Sequence, residues 1–194
     1  MNGNGTAKRK NQWTKLLSPV RHNHIDPAHV VFDITRSPFI QDYDRILFSN
    51  SFRMLARKTQ AHPFAVNDHV HHRLMHSLEV SSAGRSLGIM AGYFLKERGE
   101  LPDIITPEHI GQIVQAACLA HDIGNPPFGH GGESALQDWF RDTANNDRYL
   151  FELTERQKAD FKSFDGNAQG FRVVTALENH KDKGGLRLTY PTLA

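Results

Sequence analysis

Residues 121–133, His-Asp-Ile-Gly-Asn-Pro-Pro-Phe-Gly-His-Gly-Gly-Glu, constrain the chain more than any other stretch. They set an imidazole and a carboxylate side by side where a helix has to stop. Upstream, Ile110, Ile113, Val114, Ala117 and His121 recur at threes and fours, the spacing of one helical face. Gly124, Pro126 and Pro127 then end that helix, because proline has no N–H to continue the hydrogen-bond ladder. His121 and Asp122 therefore fall on the last turn, at the edge of a loop. Adjacent imidazole and carboxylate are first-row metal ligands, and a loop mouth leaves coordination positions open to water or substrate.

The rest of the chain also reads as helices. Ser37-Pro38 opens one that Tyr43, Ile46, Leu47, Met54 and Leu55 carry to about Lys58. Another starts near Arg73 and stops before Gly99, with Leu74, Leu78, Leu87, Met90, Phe94 and Leu95 as its apolar stripe and His76 in its first turn. Thr106-Pro107-Glu108 caps the helix that ends at His121. Ala135, Leu136, Trp139 and Phe140 mark a short helix, with both aromatics inward and a break at Asn145-Asn146-Asp147. A polar helix follows from Thr154 to about Phe164. Asp165-Gly166-Asn167 reads as a turn before a helix over Ala168–His180 with Phe171, Val174 and Leu177 inward. Leu188–Ala194 reads as the cap and first turn of one more helix. No convincing alternating strand is visible, so the expected class is all-α with ligands gathered from helix ends.

Two regions are expected. Residues 1–36 form an N-terminal arm and docking segment, loose to about residue 12, anchored by Trp13, Leu16 and Leu17, then loop. Residues 37–194 form one helical domain. A net charge of +2 is too small to argue for nucleic acid by itself; the basic knot Lys8, Arg9, Lys10, Lys15 and Arg21 suits either a solvated tail or contact with phosphates. The single cysteine, Cys118, excludes a disulfide framework within the chain and reads as a small core residue. The first dozen residues lack an apolar secretory core, and no apolar run is long enough to span a bilayer, so a cytoplasmic protein with no membrane partner is expected.

Arg73-Leu-Met-His76-Ser-Leu-Glu-Val, with His121-Asp122 downstream, resembles the HD-domain metal-dependent phosphohydrolases. The extension Ile-Gly-Asn-Pro-Pro-Phe-Gly-His-Gly-Gly-Glu is narrower and resembles the deoxyguanosine triphosphate triphosphohydrolase branch. Lys58-Thr59-Gln60 and Phe164-Asp-Gly-Asn-Ala-Gln-Gly170 fit the same branch. The resemblance runs from about Trp13 to the last residue. It implies an HD-domain helical bundle that binds a divalent ion through His76, His121 and Asp122. It implies catalytic roles for His130 and Glu133, and a contact of Gln60 with the deoxyribose near its 3′ hydroxyl. Asn167 is a further substrate candidate, and Arg73, with Arg57 and Lys58, suits the tripolyphosphate. The implied reaction is attack of water at the α-phosphorus of a deoxynucleoside triphosphate, releasing deoxynucleoside and tripolyphosphate. It also implies symmetric homo-oligomers.

Residue chemistry supports these roles beside the resemblance. Mixed imidazole and carboxylate ligation fits Mn²⁺, with Mg²⁺ next and Fe²⁺ or Zn²⁺ tolerated. An imidazole titrates near neutrality, which suits proton transfer. Glu133, at i+3 from His130, can reach back to fix its tautomer or cap the helix start. Gln60 equally suits a helix-end cap, and Asn167 the hydrogen bonding of its own turn. The resemblance also implies a fourth ligand, an aspartate far downstream of the pair, whereas 72 residues follow Asp122. The expectation is that this aspartate lies outside the sequence, that the chain is the C-terminally truncated N-terminal part of the domain, and that turnover is impaired. Two alternatives stand. One is a catalytically dead HD module that binds nucleotide or single-stranded nucleic acid such as single-stranded DNA. The other is a different HD nucleotidase or phosphodiesterase, against which the 124–133 loop argues.

Overall fold

The computed structural model describes residues 3–23, 32–33, 35–59, 72–179 and 184–194. Its helices are α1 (Gly3–Leu16), α2 (Pro38–Leu47), α3 (Asn50–Arg53), α4 (Arg73–Glu97), α5 (Pro107–Ala120), α6 (Gly129–Arg141), α7 (Thr143–Tyr149), α8 (Glu155–Lys162), α9 (Gly166–Arg172) and α10 (Tyr190–Leu193). A 3₁₀ turn, Met54–Arg57, follows α3, and a π turn, Val173–Leu177, follows α9. Among the described residues there is no strand, only isolated bridges, so the all-α class holds. No described helix is long and apolar enough to cross a membrane.

The pair α4 and α5 positions the site, and it packs in an unexpected way. Half of the expected apolar stripe of α4 faces out: Leu87, Met90 and Phe94 are 63%, 66% and 58% exposed, while Leu74, Leu78 and Leu95 pack against the buried clusters. Its buried face is Arg73 followed by the small residues Ser77, Ser81, Gly84, Gly88 and Gly92 at helical spacing. A Cβ on Gly88 would stand 2.9 Å from the Gly111 Cα, and one on Gly92 would stand 2.6 Å from the Pro107 Cα. A Cβ on Gly84 would meet the Cys118 Sγ at 2.5 Å. The order of these contacts shows that α4 and α5 run antiparallel with their backbones nearly touching. Dispersion between close-packed backbones replaces the interdigitation of large side chains.

Other expectations are corrected. Gly3–Leu16 is a helix rather than a loose arm. Arg9 pairs with Glu100 at 3.2 Å and Lys10 with Asp103 at 2.6 Å, while Leu17 is buried with Phe39, Leu101, Ile105, Ile110 and Ile113. Trp13 packs against that cluster and Leu16 faces out. The helix expected to run unbroken to Lys58 is split at Ser49, whose Oγ accepts from Phe52 N and donates to Ile46 O. Asn145–Asp147 continues α7 rather than breaking a helix. The break lies at Asp142, whose carboxylate accepts from the N–H groups of Ala144 and Asn145. Trp139 is exposed beside Phe140 and Tyr149 rather than in a core, and Phe171 and Leu177 face outward while Val174 is buried. Asp165 caps α9 by accepting from Ala168 N at 2.8 Å, so Asp-Gly-Asn starts a helix instead of forming a free turn. The main core joins Ile46, Phe52, Leu55, Ala116, Leu119 and Leu188 beneath the site.

Candidate metal centre

His76 sits in the first turn of α4, and His121 is the C-cap of α5. Antiparallel packing brings these ends together. His76, His121 and Asp122 each offer a ligand atom within 4.8 Å of the others, and the two rings meet edge-on. The Nδ1 of His121 lies 2.8 Å from the Cys118 carbonyl oxygen. A carbonyl only accepts, so Nδ1 carries the proton and the Nε2 lone pair is left for coordination, 3.7 Å from Asp122 Oδ1. Two imidazole nitrogens and a carboxylate fit a divalent first-row ion, and small side-chain adjustments bring them to one centre. Among the described residues no fourth histidine, cysteine or acid joins them.

Asp122 is 4% exposed, and a buried carboxylate needs partners. Arg73 Nη1 donates to both of its oxygens at 2.9 Å, and Asn125 Nδ2 donates to Oδ1. Lys58 Nζ donates to the Asn125 carbonyl at 2.7 Å. Burial, and then the charge of Arg73, pull the Lys58 ammonium below its usual range, while Asp122 opposes them. Arg73, a candidate for substrate contact, is itself buried, with its guanidinium turned onto Asp122 and its Nε without a protein partner. A Cβ on Gly129 would stand 2.5 Å from Arg73 Nη2. Gly129 has φ +56 and follows Phe128 at φ +66, so the chain enters α6 through a left-handed corner tight against that guanidinium.

The loop after Asp122 is pressed onto α9. A Cβ on Gly124 would overlap the Gly170 N and the Gly166 O, and a Cβ on Gly166 would overlap the Asn125 Oδ1. The two glycine-bearing blocks, 121–133 and 164–170, are thus one contact. Glu133 takes part, accepting from Gly166 N at 3.4 Å. Among the described residues it makes no hydrogen bond to His130, which is exposed on the first turn of α6. Asn167 and His121 line one open cavity of about 230 Å³ with Ala120, Phe171, Val174 and Leu193. Gln60 lies outside the described residues. Asn125 is the residue that sequence reasoning passed over: between glycine and proline it reads as a turn former, and its bond to Asp122 emerges only in three dimensions.

Residues 73–187 match the HD domain. The chain belongs to the HD-domain family. Its match opens on Arg73 and takes in His76, His121 and Asp122, the histidine and aspartate set expected to bind a divalent ion in this family. This HD domain is similar to a Pseudomonas aeruginosa protein named deoxyguanosinetriphosphate triphosphohydrolase-like protein, 53% identical over 181 residues, which cover 93% of this chain and 40% of that protein. A protein of the same name from Synechocystis is 47% identical over 184 residues, 94% of this chain and 41% of that one. One from Listeria innocua is 41% identical over 190 residues, again 94% and 41%. The chain spans about two fifths of the length of these curated relatives.

Proposed function

We propose that this HD domain takes part in metal-dependent hydrolysis of deoxynucleoside triphosphates, dGTP or a close analogue, to deoxynucleoside and tripolyphosphate. The convergence of His76, His121 and Asp122 carries the reading, and the names of the relatives give the substrate class. A divalent ion, Mn²⁺ or Mg²⁺ first and Fe²⁺ or Zn²⁺ next, would be held by those three side chains and would neutralise charge on the reacting phosphate. Arg73 and Asn125 hold the Asp122 carboxylate in place, and Arg73 offers its remaining charge to the phosphates. In the reaction, water oxygen bonds to the α-phosphorus, the bond from phosphorus to the 5′ oxygen breaks, and that oxygen takes a proton. His130 moves this proton; Glu133 fixes the start of α6 against α9. Gln60 and Asn167 contact the substrate. The outward Leu87, Met90 and Phe94 of α4 suit homo-oligomer formation. Single-stranded DNA gains less support, since Arg9 and Lys10 are paired with acids.

The test is incubation with dGTP and Mn²⁺, with products identified by phosphorus NMR. Tripolyphosphate that disappears in His121→Ala supports the reading; monophosphate or pyrophosphate as the product refutes it.

A further inference from the structure

Asp42 lies on α2, is 0% exposed, and has both oxygens occupied. Oδ1 accepts from Arg21 Nη1 at 2.5 Å. Oδ2 accepts three bonds: from Thr189 N at 2.9 Å, Thr189 Oγ1 at 2.6 Å and Thr192 Oγ1 at 2.9 Å. Arg21 is also buried and donates to the carbonyls of Pro38 at 2.8 Å and Arg187 at 2.9 Å. Around this cluster, residues 20–22 pair with 188–190: His22 N donates to Leu188 O at 2.9 Å and Tyr190 N to Val20 O at 3.0 Å. Three remote stretches of chain meet on one carboxylate.

Net stability is a poor account of such a cluster. Desolvating a carboxylate and a guanidinium costs several kcal/mol, and apolar replacements of buried ion pairs are often neutral or better. Position is the better account. The single-turn α10 is too short to hold itself, and Thr189 gives it no side-chain cap because its hydroxyl is turned to Asp42. Leu188, Thr192 and Leu193 nonetheless form one wall of the cavity whose other wall carries His121 and Asn167.

We propose that Asp42, with Arg21, is a positioning residue that fastens the 188–193 wall of the cavity facing His121, and so sets the space offered to the nucleotide. The nucleotide clause rests on the function proposed above; the fastening of the wall does not. Asp42 acts through Thr189 and through Thr192, which itself lines the cavity; its hydrogen bonds go to Arg21, Thr189 and Thr192 and to none of His76, His121 and Asp122.

The experiment compares the full chain with Thr192→Val, Thr192→Ser and Asp42→Asn by hydrogen exchange, Mn²⁺ titration and dGTP kinetics. The expected result is faster exchange across 188–193 in Thr192→Val and Asp42→Asn, with α5 still protected and Mn²⁺ affinity retained. The KM for dGTP rises about tenfold, the equivalent of one lost hydrogen bond, and more than kcat falls. Thr192→Ser, which keeps the hydroxyl, restores both. Unchanged exchange at 188–193, or equal loss across α5, overturns the proposal. If Asp42→Asn does not fold, Thr192→Val, which removes no charge, decides alone. If the parent chain neither binds nor hydrolyses dGTP, the functional reading fails while the exchange result still decides whether Asp42 fastens the wall.

Discussion

The rings of His76 and His121 meet edge-on, with centroids 5.3 Å apart and planes at 72°, although they belong to different helices. The meeting is a consequence of small residues elsewhere. Where Gly88 lies on Gly111 and Gly92 on Pro107, α4 and α5 are as close as backbones allow, and further along Gly84 rests on the Cys118 side chain. From that contact, two turns back along α4 reach His76 and one turn forward along α5 reaches His121. The helix pair thus acts as a ruler for the candidate metal centre.

Removing a ligand and removing a ligand's partner have different sizes. His76→Ala or His121→Ala lowers Mn²⁺ affinity by at least about hundredfold. Asn125→Ala, which removes the amide hydrogen bond to Asp122, lowers it about tenfold, the range for groups that orient a ligand. Titration calorimetry measures both, and equal losses would contradict the assignment of Asn125 as a supporting group.

Glycines on either side of the start of α6 have opposite tolerance. Gly124→Ala drives a methyl into the backbone of α9 and costs about 1–3 kcal/mol, with loss of metal affinity as Asp122 shifts. Gly131→Ala meets nothing within 4 Å and gains up to about 1 kcal/mol from helix propensity in α6. Thermal denaturation of the two variants separates the cases. A stable Gly124→Ala would show that the loop does not rest on α9.

Arg73→Ala leaves the Asp122 carboxylate buried without its guanidinium. Breaking such a pair costs about 3–5 kcal/mol, and the metal-free chain is destabilised on that scale. Added Mn²⁺ recovers part of the loss, because the ion replaces the missing positive charge beside Asp122. A variant whose Tm does not respond to Mn²⁺ more than the parent's would refute this account.

His109 makes stability depend on pH at the far end of α5. Its Nδ1 accepts from Thr106 N at 3.1 Å, a bond open only to the neutral ring, and Phe32 and Phe39 pack against it. Burial holds its pKa below the ordinary value, against a smaller upward pull from Glu108. Below about pH 6.5 the unfolded chain therefore takes a proton that the folded chain resists, and stability falls as pH drops toward the folded pKa. Above that pH the contribution is constant. His109→Gln does not titrate, so its Tm loses less than the parent's between pH 7.5 and 5.5; an equal loss would place the titration elsewhere.

Most helices and the candidate ligands were legible in the sequence for local reasons. Thr106 and Thr154 cap because their side-chain oxygens reach N–H groups three residues away, a relationship carried by neighbours in the chain. The reading failed where burial was inferred from apolarity. Leu87, Met90 and Phe94 recur at helical spacing, which marks a face without saying which neighbour it meets. The opposite face, glycine and serine, is buried because Gly111 and Pro107 approach it, and those residues lie on another helix. The N-terminal basic stretch looked loose because the acids that pair with it, Glu100 and Asp103, are far away in sequence.

Sequence alone determined which side chains can bind an ion and that they stand at helix ends, since ligand type and helix termination are properties of a residue and its near neighbours. Tertiary structure decided that His76 and Asp122 come together, that Arg73 turns its guanidinium onto Asp122, and that Asp42 ties residues 21 and 189 together. These depend on how closely two backbones approach and on which groups lose their water, and both are set by packing between segments remote in the chain.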